Sequence, residues 1–489
     1  MVEPPAASEP LESRKDSPQY GARRAGKWHR LFSWWNALLA RRGMISFLPI
    51  LLAIFILFYG ASGQIFAPYA DATRYQCYAQ AFWQGDQGIA QLPVAQCSFL
   101  FQAGTSSTTF SAFSLVPFEY PPLTLSIFSL PLMVPLLSYQ IAFALCMAGV
   151  AVLIYWLLQR YGPRGSALAY AFYLALGAFA TAEARFDLVP AGLTLLCLIF
   201  AGRRRWALAY VALALAVLLK IYPLLLLPAL FLAEQLECER IRRPEHPALF
   251  LHLPGEVWRT LRGIGRWRWR HILLFWTVIV AISGLFALLN FQGALVSQLS
   301  YFADRPVQIE SSGSTLLWLA SLLGHPASVV YTFGSYNIVS DADVVIDLIC
   351  EAVFALGCVL VMLWQWRGRL SLAQSFPALL LVFVVTGKVF SPQYLIWLIP
   401  LLAYCGAFNR GWLVLWGSLS VLTIIIYPYY YMHHVMLQLP SVPGFISVVT
   451  LRNALLVLAG LLLIFSERIF WPLTRIRLWR RWQPAPKKA

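Results

Sequence analysis

The stretch Met44–Gly60, MISFLPILLAIFILFYG, holds no charged residue and no helix-breaking pair. About 17 residues at ~1.5 Å each reach roughly the ~30 Å of a bilayer's hydrocarbon. Comparable runs recur at Gln140–Leu158, Gly165–Ala182, Leu188–Ala201, Trp206–Leu219, Tyr222–Ala233, His271–Asn290, Asp341–Trp366, Leu372–Lys388, Ser391–Phe408, Gly411–Tyr427 and Phe445–Ser466. Hydrophobic residues make up 60% of the chain and charged ones 12%, far from a soluble composition. These runs predict an all-α polytopic membrane protein of about twelve helices. Leu188–Ala201, Trp206–Leu219 and Tyr222–Ala233 are short, as suits helices that end below the headgroups around a cavity.

Charge sets the orientation. Of 37 Lys and Arg, all but Arg74, Arg185, Lys220, Arg305, Lys388 and Arg452 fall in segments that one topology puts in the cytoplasm. Both tails and the basic Glu234–Arg270 loop are then inside, and the six exceptions lie on or near the outer face. Positive charge kept there against the bias calls for an anionic ligand. The net charge of +16 therefore implies membrane lipids as partners and no nucleic acid.

Residues 1–26 read as a disordered cytoplasmic tail, 27–43 as a basic interfacial segment, 44–466 as the transmembrane domain with the 234–270 loop inside it, and 467–489 as a basic cytoplasmic tail. From Ala61 to about Ser138 the chain is outside. Its second half, from Glu119-Tyr120-Pro121-Pro122 to Leu137, reads as a helix starting at the Pro pair and resting in the outer leaflet, because a full crossing would put the following basic loops outside. Phe291–Ser340 is a second outer segment with a short apolar helix, Thr315–Leu323. Eight Cys show no metal spacing; Cys77 and Cys97 share an outer loop, where one disulfide is open to them. Nucleotide-binding, zinc-protease and serine-hydrolase motifs are missing.

Polar residues gather on the outer face: Asp71 after the first span, Arg74 beside it, Glu119 before the Pro pair, Arg185 and Asp187 in one turn, Lys220 and Lys388 ending outward helices, Asp304, Arg305 and His325 in the second outer segment, and His433 and His434 in the last outer loop. Each has a competing reading. A carboxylate past a helix end is a solvated loop acid, a Lys at an outer helix end snorkels to headgroups, Arg185 and Asp187 pair with each other, and the His pair is interfacial. Ser340-Asp341-Ala342-Asp343 looks like a nucleotide-sugar DxD, yet an N-capping Ser with acids in the first turn accounts for it. Asp343, Asp347 and Glu351 share one helix face, and acids inside a membrane face a partner or a cavity.

Five strings carry a resemblance: Pro68-Tyr69-Ala70-Asp71, Glu119-Tyr120-Pro121-Pro122-Leu123, Arg185-Phe186-Asp187, Leu219-Lys220-Ile221-Tyr222-Pro223 and Gly387-Lys388-Val389-Phe390-Ser391-Pro392-Gln393-Tyr394-Leu395-Ile396-Trp397. They resemble GT-C glycosyltransferases, most of all glycosyltransferase family 87, the polyprenol-phosphate-mannose-dependent mannosyltransferases. The Lys220 and Lys388 strings also look like the GPI mannosyltransferase that adds the first mannose. The resemblance covers roughly Met44 to Ser466 and implies a GT-C-like bundle with a membrane-associated first outer loop. It implies a polyprenyl-phosphate sugar donor, a glycolipid or glycan acceptor, and Asp71 as general base. Some relatives carry two acids where this chain has only Asp71, which favours a metal-free site without cofactor.

On this reading Asp71 takes the proton of an acceptor hydroxyl as the anomeric bond breaks. Fixed cations stabilise the phosphate that leaves: Lys220, Lys388 and Arg185, with Gln393, His433 and His434 beside them. Glu119, Tyr120, Asp187, Tyr394 and Arg74 bind substrate. Two other classes stay open: a proton-coupled transporter with Asp343, Asp347 and Glu351 as relay, and an O-antigen ligase or polymerase with its chemistry in a large outer loop. The expected location is the cell membrane, with the active site facing away from the cytoplasm.

Overall fold

A computed structural model describes residues 44–67, 70–102, 109–135, 138–243, 253–298, 300, 305–434 and 436–465. The expected tails 1–26, 27–43 and 467–489, with Pro68, Tyr69 and Asp304, lie outside the described residues. The chain divides into two compact units after Pro49. Of the first, the described residues are a 3-10 turn, Met44–Phe47, and the start of a helix.

That helix, α1 (Leu48–Ile65), buries Ile50, Ala53, Leu57, Ala61 and Ile65. Leu51, Leu52, Phe55 and Tyr59 are exposed on its other side, an apolar surface that only lipid satisfies. In chain order follow α2 (Asp71–Gln84), α3 (Thr124–Ser129), α4 (Tyr139–Tyr161), α5 (Ser166–Gly177), α6 (Leu188–Gly202), α7 (Trp206–Leu219), α8 (Leu227–Glu237), α9 (Leu253–Arg262), α10 (Arg270–Leu289), α11 (Ser312–Ser321), α12 (Asp343–Trp366), α13 (Leu372–Thr386), α14 (Tyr394–Cys405), α15 (Arg410–Ile424) and α16 (Phe445–Phe465).

Six helices among the described residues are long and apolar enough to cross a membrane: Ile45–Ile65, Tyr139–Tyr161, Arg270–Leu289, Asp343–Trp366, Arg410–His433 and Phe445–Phe465. This makes the chain a multi-pass membrane protein, but not one with twelve full-length spans. The other expected spans are helices of 11 to 15 residues, α5, α6, α7, α8, α13 and α14. Each stops where a turn intervenes: residues 178–187 after α5, Lys220-Ile221 after α7, and Gly387–Gln393 between α13 and α14. The expected Tyr222–Ala233 span opens as a 3-10 turn, Tyr222–Leu226, before α8.

Burial differs sharply from helix to helix. Helix α14 buries nine consecutive residues from Leu395 to Ala403, whereas α10 buries only His271 and Phe275. A broken helix exposes backbone polar groups that lipid cannot satisfy, so α13 and α14 lie inside, while α10 and α12 turn most of their surface outward. Helices α6, α5 and α13 pack against α14, and α6 packs on the Ala-rich α7, since small side chains let backbones approach. The interior turns are what position the site.

The two segments expected outside depart from expectation in detail. The run after the Pro pair becomes helical at Thr124 and continues as a 3-10 turn to Met133, too short to cross. The second outer segment is not purely helical: β1 (Val307–Gln308), β2 (Ala327–Thr332) and β3 (Ser335–Ser340) form an antiparallel sheet in the order β1-β3-β2. Thr332 pairs with Ser335 across a two-residue turn whose Phe333 and Gly334 have φ of 52° and 67°. Positive φ at both positions is the hairpin turn that suits strand twist. Ile309, Leu317 and Ile338 pack with Ile426, Leu439, Phe445 and Val449 beneath the sheet. Ser340 does not cap α12; the cap position is Ala342, and the Asp343 carboxylate accepts from the Ser340 N–H at 3.0 Å.

Candidate active site

Asp71 is the first residue of α2, whose cap residue Ala70 offers no side chain to the open amides. A carboxylate there faces the positive end of the helix. Its Oδ2 is ion-paired with Arg185, which also donates to the Tyr427 phenol. Arg185 sits in the 178–187 turn, and α1 holds that turn directly: Gln64 donates to the Ala180 carbonyl, and a Cβ on Gly60 would collide with the Phe179 oxygen.

Two residues on, Asp187 is 1% exposed and accepts from Lys220 Nζ at 2.6 Å and from Trp397 Nε1. Lys220 Nζ also lies 5.1 Å from the Phe186 and Trp397 rings. Trp397 is stacked between Tyr222 and Tyr394, each ring centroid 4.0 Å away. Tyr120 meets Phe186 edge-on at 5.2 Å and Tyr75 at 5.9 Å. Arg74 pairs with Glu119 and lies 4.5 Å from the Phe99 ring. The described parts of the first four quoted strings thus meet with Tyr394 and Trp397 of the fifth. The disulfide Cys77–Cys97 fastens the underside of α2, and Gln96 donates to the Thr73 carbonyl at 3.2 Å.

Burial works against the Arg74 and Arg185 charges, but Glu119 and Asp71 beside them prevail and hold both guanidiniums above their ordinary range. Burial raises the Glu119 carboxyl against the pull of Arg74, and it draws Lys220 down against the pull of Asp187. The cluster therefore contains desolvated charges in tight pairs rather than loose surface ions.

Other expected residues go elsewhere. Lys388 pairs with Asp347 at 2.8 Å, its carbonyl accepts from Gln308 N–H at 2.8 Å, and no contact among the described residues joins it to Lys220. Gln393 accepts from the Ser391 hydroxyl in the turn before α14. His433 bonds the Tyr429 carbonyl at 2.8 Å, and His434 packs on Tyr430; both are exposed and neither touches the cluster. Asp343 serves the backbone, Asp347 serves Lys388 and Glu351 is exposed, so the three acids of that helix face do not line a common interior path. His325 faces Asp341 at 3.1 Å. Arg452 is fully buried, donates to the Glu310 carbonyl at 2.6 Å and covers the Phe390 ring at 3.8 Å, which makes it a tie between α16 and the sheet.

Sequence reasoning passed over Trp397 and Tyr222, although both lie in the quoted strings, and it passed over Tyr427. Arg305 bonds the Ser335 hydroxyl at 3.0 Å and is close enough to influence Glu119 and Tyr394. Its only signal was its place among the six outer cations. Buried Glu183, two residues before Arg185, left no signal at all. Scanned against protein-family models and searched against curated proteins, the chain matches none.

Proposed function

We propose that the protein is a membrane glycosyltransferase of GT-C type that moves a hexose, mannose by the resemblance, from a polyprenyl-phosphate donor to a lipid-linked or envelope glycan acceptor at the outer face of the cell membrane. The observation that carries this reading is the convergence of Asp71, Arg185, Asp187, Lys220, Tyr394 and Trp397 from distant stretches into one cluster of ion pairs and stacked rings. In this reading the short interior helices complete a bundle of about twelve crossings around a groove for the prenyl chain.

The acceptor hydroxyl bonds to the anomeric carbon as the bond from that carbon to the phosphate oxygen breaks. Its proton passes to Asp71, whose Oδ2 is held by Arg185 and whose Oδ1 has no partner among the described residues. The Arg185 contact fixes where this carboxylate sits. The hydroxyl becomes acidic as it bonds to the sugar, so its proton moves to the waiting oxygen as the anomeric bond breaks. The electron pair leaves on the polyprenyl phosphate, whose growing charge is met by Arg185, Lys220 and Arg305 in a desolvated site. The Disulfide-clamped α2 carries the base, and a disulfide is at home in an oxidising, extracytoplasmic compartment.

The test is transfer from radiolabelled polyprenyl-phosphate mannose into a total lipid extract by reconstituted protein. Asp71→Asn keeps the shape and removes the base, so the rate drops roughly a hundred- to ten-thousand-fold, measured at a temperature where the variant, whose Arg185 has lost its carboxylate partner, is still folded. Undiminished transfer by this variant would overturn the assignment of the base, and no transfer by the unaltered protein from any polyprenyl-phosphate sugar would overturn the class.

A further inference from the structure

Helix α7 connects two charged places. Its last turn leads into Lys220, and its first residue, Trp206, is roughly 20 Å away along the axis. At that far end a cavity of about 500 Å³ is lined by Arg204, Arg205, Arg268 and Arg270. The acids nearby are already engaged: Glu237 pairs with Arg204, and Glu234 with His271 at 2.6 Å. Arg268 donates to Cys238 Sγ at 3.0 Å. Arg205 and Arg270 have no carboxylate partner among the described residues.

The backbone adds to this charge. Trp206, Ala207 and Leu208 line the same cavity and are the first three residues of α7, which has no side-chain cap on its open N–H groups. Helix α10 begins at the same cavity with Arg270 and His271, again without a side-chain cap. Two uncapped helix N-termini and two uncompensated guanidiniums on one concavity form a site for a phosphate. Next to it the surface turns apolar: Leu208 is 44% exposed, and Leu273, Trp276 and Val280 along α10 are 60%, 43% and 66% exposed. A phosphate with hydrocarbon attached matches that sequence of surfaces.

We infer that this cavity binds the phosphate of an anionic phospholipid, with its acyl chains along the exposed face of α10, at the Arg-rich end opposite the Asp71 cluster. Basic pockets of this kind among membrane helices hold anionic headgroups, and the site is separate from the donor site and independent of the reaction proposed there. Soluble phosphate shares the headgroup's chemistry but has nothing to place on the apolar face.

Binding is read by native mass spectrometry of the full chain in detergent, titrated with phosphatidylglycerol, with phosphatidylcholine of the same chains, or with inorganic phosphate. Phosphatidylglycerol is expected to bind in preference to phosphatidylcholine, and Arg205→Gln/Arg270→Gln to weaken it by about tenfold to thirtyfold without affecting phosphatidylcholine. Arg160→Gln/Arg410→Gln, at basic positions elsewhere, leaves the preference unchanged. Equal binding of the two lipids by the unaltered protein, full retention of the preference in the Arg205/Arg270 variant, or displacement of phosphatidylglycerol by millimolar phosphate would each overturn the inference. The lipid comparison on unaltered protein stands even if the double variant folds poorly.

Discussion

Lys220 and Lys388 read alike in the sequence, each ending an outward helix, yet their surroundings separate them. The Lys220 and Asp187 side chains are 15% and 1% exposed, so Lys220→Gln strands a buried carboxylate with only Trp397 as donor. The expected cost is about 3 kcal/mol or more, read as a fall in thermal stability, and Lys220→Gln/Asp187→Asn recovers part of it. The Lys388 and Asp347 side chains are 36% and 25% exposed, and Lys388→Gln should change stability by less than about 1 kcal/mol. Any weakening of donor use in Lys388→Gln therefore reports phosphate contact, whereas the same loss in Lys220→Gln must be judged against its stability. The snorkelling account of Lys388 survives if the rate against donor concentration is unchanged in that variant. The position of Asp71 just after the first span could be read from the sequence; its contact with Arg185 could not, because 114 positions separate the two and only packing of the 178–187 turn brings them together.

Among elements, α2 is fastened by a disulfide and the Arg185 turn by α1. Cys77 and Cys97 are 20 positions apart, a loop whose closure stabilises by about 3 kcal/mol. Cys77→Ser/Cys97→Ser should therefore lower the thermal midpoint, and added reductant should lower that of the unaltered protein but not of the variant. At the other contact, Gly60→Ala drives a methyl into the Phe179 carbonyl and must displace the turn that carries Arg185. Misplacement by about 1 Å costs up to a hundredfold in rate. Gly63→Ala, one turn further, meets only Met432 Cε at 3.6 Å and should be tolerated; equal transfer rates in the two variants would remove the turn from the argument. The long helices were legible because apolar length is a local property. The hairpin over 327–340 escaped notice because its turn is Phe333-Gly334 rather than the Asn-Gly or Asp-Gly that ordinarily announces positive φ at both positions.

For the whole molecule, the proposed orientation rests on the charge bias and on the disulfide, one an argument from insertion and one from redox chemistry. With the six free cysteines replaced, Leu322→Cys, 82% exposed in the second outer segment, should react with a membrane-impermeant maleimide on intact cells. Gly265→Cys, exposed in the basic loop, should react only after permeabilisation. The reverse pattern would invert the topology and put the Asp71 cluster in the cytoplasm.

Immersion in a membrane, the stretches that supply its long helices and the place of Asp71 at the start of a polar segment were determined by the sequence alone, because transfer of apolar length out of water depends on neighbours along the chain. Which cation meets which acid was decided only by tertiary structure. Asp187 takes Lys220 and Trp397, the latter 210 positions away, while Lys388 goes to Asp347 and Arg452 to Glu310. Interior turns of broken helices leave polar groups that lipid cannot solvate, and each must find its partner wherever the packing of other helices delivers one.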